Sequence, residues 1–213
     1  MNSTCGETQA GDAGTPPLPD EGGSVLVLAP AMDSRVDECC VRLACPDDPV
    51  DVDLLAVALD GGVDDVLDRW TRYAGATPGR TAVVTAGESV RGAAAASSEG
   101  VSMLGSDVSL ASVSDPGDLT GLGIKISQCL SSWEDDDNDL MLCFDSLTTL
   151  LQFTELRQVF QFVHVLTQRI ESAGARAHFH MNQHAHDEQT VATVRSLFDH
   201  VYELDADGAW RQR

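Results

Sequence analysis

Two stretches of this sequence carry residues able to do chemistry. The first is HFHMNQHAHDE, which holds His178, His180, His184 and His186, followed by Asp187 and Glu188. On a strand, side chains alternate between faces, so His178 and His180 point the same way, a spacing that chelates zinc or another divalent metal. His184, His186, Asp187 or Glu188 could complete the shell. The same residues have a plainer reading, in which His178 and His180 hydrogen-bond inside a core while His184 and His186 cap a loop. The second stretch is LMLCFDS, where Asp145 and Ser146 follow an apolar run. An acid at the tip of a hydrophobic strand is where an ATPase holds its magnesium shell, and it is also a residue that caps a following helix.

Other motifs point to less. PAMDSR, from Pro30 to Arg35, follows the first apolar run. A phosphate there would need glycines to turn backbone N–H groups toward it and a lysine to pair with it. Neither is present, and Asp33 places a carboxylate at the start of the next helix, where it suits the helix dipole and repels phosphate. GLGIKI, from Gly121 to Ile126, lacks the third glycine of a dinucleotide loop and lies inside a helical pattern. Ser89 and Ser146 lack the G-x-S-x-G turn of a hydrolase nucleophile. His164 and His200 read as half-buried structural residues. The six cysteines (Cys5, Cys39, Cys40, Cys45, Cys129 and Cys143) include no CxxC pair and read as reduced thiols serving as small hydrophobes. Cys39, Cys40 and Cys45 make a poor ligand trio, because adjacent cysteines diverge by about 100° on a helix.

These residues need elements to hold them. Ser24 to Ala29, Val52 to Leu59, Thr81 to Ala86 and Leu140 to Asp145 are short apolar runs of the kind that form strands covered on both faces. Between them lie helical stripes. Val36, Cys39, Cys40 and Leu43 form one, with Asp33 or Ser34 as cap, and Val63, Val66, Leu67, Trp70 and Tyr73 form another. Asp118 caps a third, with Leu119, Leu122, Ile126, Leu130 and Trp133 on one face. The longest helix is expected over Thr154 to Ser172, with Gly174 as its left-handed stop. Ala175 to Met181, a helix from Asp187 to Phe198, and Val201 to Leu204 complete the series. Residues 87–117 are small and Ser- and Gly-rich, with at most one short strand near Val108 to Val113. Strands alternating with single helices imply right-handed crossovers and an α/β three-layer sandwich with a mainly parallel central sheet. Residues 1–23 hold one large apolar residue, Leu18, and read as a disordered tail; residues 24–213 read as a single domain.

Composition excludes several partners. The 213 residues carry 34 Asp plus Glu against 13 Lys plus Arg, a formal charge of −21. Nucleic acid and anionic lipid both need clustered basic residues, so neither is an expected partner, and no run is long and apolar enough to span a bilayer. The N-terminus also lacks the regions of a signal peptide, which points to a cytoplasmic protein. Lys125 is the only lysine, and Asp outnumbers Glu by 24 to 10. Such a balance looks like that of extreme halophiles. At molar salt the screening length falls to about 3 Å, so dense carboxylates repel little and keep the chain hydrated. The acidic run Glu134 to Asp139 then reads as a solvated loop.

From Ser24 to the C-terminus the chain resembles the RecA/KaiC class of P-loop ATPases. Within that class it is similar to a group of uncharacterised haloarchaeal proteins with a degenerate nucleotide site. The resemblance rests on the strand-loop-helix at Val25 to Leu43, on DPGDLTGLGIKIS at Asp115 to Ser127, on the Walker-B-like LMLCFDSLTTLLQ at Leu140 to Gln152, and on SLFDHVYELDADGAW at Ser196 to Trp210. It implies that Asp145 is the Walker B acid, and that the strand at Ala175 to Met181 lies between those at Val25 and Leu140. His180 would then stand near Asp145 or the Pro30 to Asp33 loop. Nothing matches the Walker A glycines, lysine or hydroxyl, and Asp60 with Gly61 follows the second strand where active relatives carry a catalytic Glu. The expected function is therefore that of a non-hydrolysing regulatory or signalling module, a pseudo-ATPase without a cofactor, acting through contacts with an unidentified protein partner or a second copy of itself. A metal-dependent enzyme or metal sensor built on His178, His180, His184 and His186 is the alternative.

Overall fold

The computed structural model describes residues 23–31, 33–45, 47–87, 102–103, 107–133 and 137–213. The proposed tail at residues 1–22, Ser89, and residues 134–136 of the acidic loop lie outside the described residues.

Among the described residues nine strands form one sheet: β1 (Ser24–Leu28), β2 (Val52–Ala58), β3 (Arg80–Ala86), β4 (Ser102–Met103), β5 (Val108–Val113), β6 (Asp139–Asp145), β7 (Arg176–Met181), β8 (His200–Leu204) and β9 (Trp210–Gln212). Their spatial order is β4-β5-β3-β2-β6-β7-β1-β8-β9. The inner pairs from β5 to β8 are all parallel, while β4 and β9 pair antiparallel at the two edges. Parallel neighbours require crossovers, and a sheet built from them is buried on both sides. The apolar runs meet that demand: every residue of β1 and β2 is buried. The strand expected between β1 and β6 is β7, and β6 lies at the middle of the sheet.

Helices fill the two outer layers. α1 (Ser34–Ala44) and α2 (Val63–Tyr73) lie side by side on one face and bury Cys39, Cys40, Leu43, Val66 and Trp70. The opposite face receives α3 (Leu119–Trp133), α4 (Leu147–Phe153), α5 (Leu156–Ser172) and α6 (Glu188–Arg195). Its core is the larger one, with Leu142, Phe144 and Phe179 packed under Ile126, Val163 and Leu166. The Phe144 and Phe179 rings stack with centroids 5.4 Å apart. Gly174 takes a φ of 66°, the left-handed conformation that ends α5. Gly121 answers to the helix cap: its N–H donates to Asp118, and a Cβ there would meet the Asp118 carboxylate. GLGIKI therefore starts a helix and cradles no phosphate.

Four features depart from expectation, the first being β4, which pairs antiparallel with β5 as a second strand in residues 87–117 where at most one was expected. The segment after β6 forms a separate short helix, α4, capped by Ser146, whose hydroxyl accepts from Thr149 N–H at 3.1 Å. β9 is an added edge strand. His164, expected to be half-buried, is exposed on α5 and stacks against Phe160.

β2 also hides an acid inside its apolar run. Asp53 is 1% exposed and accepts from Arg80 and from Asn138 at 3.1 Å. Arg80 lies over the Trp133 ring at 5.3 Å. A buried carboxylate is tolerable only while its cation stays in place. Arg80→Ala is expected to lower stability by about 2 to 4 kcal/mol, read from the denaturant midpoint at constant high salt. Leu142, fully buried at the sheet centre, sets a harsher test. Leu142→Asp is expected to abolish folding, since an unpaired charge there costs several kcal/mol; a soluble variant with an unchanged melting curve would refute the sheet assignment.

Candidate functional site

The carboxyl ends of β1, β2, β6 and β7 open into a cleft, the usual ligand position of an open parallel sheet. Its two adjoining lobes have volumes of about 340 and 490 Å³ and share Asp37, Asp60, Arg69 and Asp145. Asp33 stands at the N-terminus of α1, where its carboxylate accepts from Arg35 N–H at 3.0 Å and pairs with the Arg35 guanidinium at 2.7 Å. The hydrogen bond from the Arg35 side chain holds the Asp33 carboxyl below its usual range. Asp60 accepts from the Thr149 hydroxyl. Arg69 pairs with Asp37 at 2.9 Å and reaches Asp145 at 3.5 Å. Asp145 is thus an ion-pair partner at the strand tip, and the capping role falls to Ser146.

Beneath the cleft, between α1 and the sheet, lies a buried polar cluster of Cys40, Cys143, His178 and His180. Cys40 comes from α1, Cys143 from β6, and the two histidines from β7. In the parallel register Cys143 sits beside His178, so the side-chain alternation of both strands turns all three strand residues toward α1. One donor atom from each of the four residues lies within 4.8 Å of every other. The Cys40 sulfur is 3.2 Å from the Cys143 sulfur and 3.0 Å from His178 Nε2. The two imidazoles meet edge to face at 5.2 Å.

The electrostatics of the cluster favour positive charge. The hydrogen bond from Cys143 drives the Cys40 thiol well below its ordinary value, against burial and with the help of His178. Cys143 is pushed well up by its hydrogen bond with Cys40 and by burial. Burial opposes protonation of His180, but Cys40 and Asp145 outweigh it and raise the imidazole. Arg69 behaves likewise: burial works against its charge, yet Cys40, Cys143 and the carboxylates hold it above the ordinary range. Its Nη1 stands 3.8 Å from the Cys40 sulfur. His178 Nδ1 and both ring nitrogens of His180 are buried without a hydrogen bond of standard geometry. Each such group costs about 1 to 3 kcal/mol when left unmade.

The four expected histidines therefore separate. His178 and His180 converge, at 1% and 6% exposure. His184 is exposed in a short 3₁₀ turn after β7, and His186 bonds the Thr148 hydroxyl at 3.2 Å. Asn182 N–H also donates to Thr148 Oγ1, at 2.8 Å. Burial lowers the His186 pKa. The adjacency expected of His180 is present: it lines the same lobe as Asp145, Pro30 and Asp33. The residues that complete the cluster are Cys40 and Cys143, which reading by local spacing sets aside. The available signal was their type and phase, a cysteine on the inner face of α1 and a cysteine two positions before a strand-ending acid. Cys39 and Cys129 are free and buried, as expected of small hydrophobes; Cys40 and Cys143 are free and buried but belong to the polar cluster, and Cys45, expected as a reduced thiol, is disulfide-bonded.

Comparison with known proteins adds a family and a fold. A family of unknown function, DUF7504, matches residues 22–204. No curated protein matches the chain. A Pyrococcus horikoshii OT3 protein from a structural study is similar over 87% of this chain and 83% of its own, with a TM-score of 0.54 at 12% identity. That similarity bears on the α/β fold alone. An uncharacterized protein from Pyrococcus horikoshii, solved with an unknown peptide, gives a TM-score of 0.49 at 10% identity over 90% of this chain and 82% of its own.

The geometry separates the histidines by consequence. His178→Ala is expected to cost roughly 2 to 4 kcal/mol by opening a cavity and stranding the Cys40 sulfur, while His184→Ala stays within about 0.5 kcal/mol. Thermal melts of the two variants in the same salt provide the check.

Proposed function

The chain belongs to the DUF7504 family, and we propose that it is a non-hydrolysing RecA/KaiC-like module, regulatory or signalling in role, that works through protein contacts. The observation that carries this reading is the chemistry of the strand-end cleft. Where a phosphate would need bare helical N–H groups, the N-terminus of α1 is closed by the Asp33 carboxylate. Asp37, Asp60, Asp65, Asp68 and Asp145 line the adjoining space with two arginines, Arg69, which is engaged by Asp37 and Asp145, and Arg72. A triphosphate entering there meets like charge on several sides and no glycine nest. The position of β7 between β1 and β6 supports the resemblance from which this reading starts.

The acidic surface suits a cytoplasm of high salt. Among the described residues no helix is long and apolar enough to cross a membrane. Ile124, Phe153 and Val165 stand exposed on α3, α4 and α5 and offer apolar anchors for a protein partner or a second copy. A metal-dependent enzyme or metal sensor is the second reading, favoured by the Cys/His cluster. Catalysis by a metal needs an open coordination position, and burial of all four side chains argues against one.

Calorimetric titration with magnesium ATP and magnesium GTP at molar salt tests the first reading. No binding heat is expected, and a micromolar dissociation constant for either nucleotide would overturn it. Low salt is unsuited, because a chain of charge −21 loses the screening that keeps it compact.

A further inference from the structure

We propose that Cys40, Cys143, His178 and His180 form a closed four-coordinate site for a borderline-soft divalent cation, zinc above all, that fastens helix α1 to strands β6 and β7. The site is independent of whether nucleotide binds in the cleft.

Geometry comes first. A tetrahedral zinc with bonds of about 2.3 Å to sulfur and about 2.0 Å to nitrogen holds its donors about 3.3 to 3.8 Å apart. The donors here are 3.0 Å (Cys40 to His178) and 3.2 Å (Cys40 to Cys143) apart at the closest, and none lies beyond 4.8 Å from another. Small side-chain rotations bring such a set to tetrahedral distances with no movement of the backbone elements. Three rigid elements supply the ligands, which is the arrangement that fixes coordination geometry before the ion arrives.

The donor set selects the ion. Two thiolates and two neutral imidazoles carry a charge of −2, which a divalent cation cancels in a buried place. Thiolate sulfur favours zinc and other soft or borderline metals, whereas calcium and magnesium require oxygen ligands, and the four donors include none. Cys₂His₂ is a structural zinc set, and none of the four side chains is more than 6% exposed. The cation also supplies a partner for one nitrogen of His180, which makes no hydrogen bond of standard geometry with either ring nitrogen.

Arg69 extends the site outward. Its guanidinium lies 3.8 Å from the Cys40 sulfur while its other nitrogens engage Asp37 and Asp145. Groups that donate to a ligating sulfur tune how much charge it passes to the metal. Arg69 thereby links the buried centre to the acids of the cleft, and it is a positioning residue.

The effect on folding follows from the chain separation of the ligands. Cys40 lies 103 residues before Cys143 and 138 before His178. A cation held by all four binds the folded chain alone and stabilises it by mass action. The competing arrangement is a Cys40–Cys143 disulfide, for which two sulfurs in contact are the natural precursor under oxidation.

The experiment is the metal content of the full chain, purified at molar salt with a non-chelating reductant, together with cobalt reconstitution of protein stripped by chelator. About one equivalent of zinc per chain is expected. Cobalt should give the visible bands of a tetrahedral ion and sulfur-to-cobalt charge-transfer bands with the intensity of two thiolates. Cys143→Ser and His178→Ala should each weaken zinc binding by more than about a hundredfold, beyond what loss of an outer-shell partner produces, and His184→Ala should leave it unchanged. If the variants fail to fold, the cobalt spectrum of the unaltered chain still reads the ligand set. Sub-stoichiometric metal with the thiols reduced, a cobalt spectrum without thiolate charge transfer, or a Cys40–Cys143 disulfide in freshly purified protein would overturn the proposal.

Discussion

Side chains alternate across a strand, so the parallel register of β6, β7 and β1 settles what lies beneath α1. Cys143 pairs with His178, which pairs with Val25, and the next row places His180 beside Val27. A shift of one residue in β7 would exchange His178 and His180 for Ala177 and Phe179, sending two imidazoles into the apolar core and two apolar side chains under the helix. Phe144 stacks on Phe179 across the β6–β7 pair, on the face away from α1. The larger core thus holds the register that brings the polar cluster together, and the cluster is as much a product of the opposite face as of its own.

The two halves of the site use charge in opposite ways. Above, the cleft gathers Asp37, Asp60 and Asp145 around Arg69 and Arg72, with Arg69 paired to Asp37 and Asp145. Below, sulfur and imidazole form a pocket in which positive charge is stabilised, as the opposite displacements of Cys40 and His180 both express. Arg69 touches both regions and keeps the carboxylates from lying uncompensated above a thiolate. A nucleotide-binding sheet would spend its strand ends on an anion. Here Asp33 caps the N-terminus of α1, and Asp37, Asp60 and Asp145 line the strand ends.

Some buried polar groups elsewhere have a partner supplied at the same depth. Asp53 has Arg80 and Asn138, and Ser24 donates to Asp199 at 2.9 Å. Thr81, Thr85, Thr154 and Trp210 each bury one polar atom without a hydrogen bond, whereas the cluster gathers three such nitrogens on the neighbouring His178 and His180.

The sequence by itself determined the layers of this protein. Its strands are continuous apolar runs and its helices carry stripes at helical spacing, and both signals are local, requiring only that one side of a short segment avoid water. Asp33, Asp118, Asp187 and Gly174 acted as helix signals for the same reason: a cap is satisfied within a few residues of itself. Asp53 escaped notice because a buried acid inside an apolar run is made tolerable by Arg80, 27 residues away. The cluster escaped for the stronger form of that reason. His178 and His180 were recognisable as a pair because a strand's period is local, and His184 and His186 were grouped with them by proximity in the chain. Whether four residues meet depends on which strand lies beside which, on the parallel register, and on the helix laid across them. Those are decided by the packing of the whole sheet, and so Cys40 and Cys143 joined the histidines only in the folded molecule.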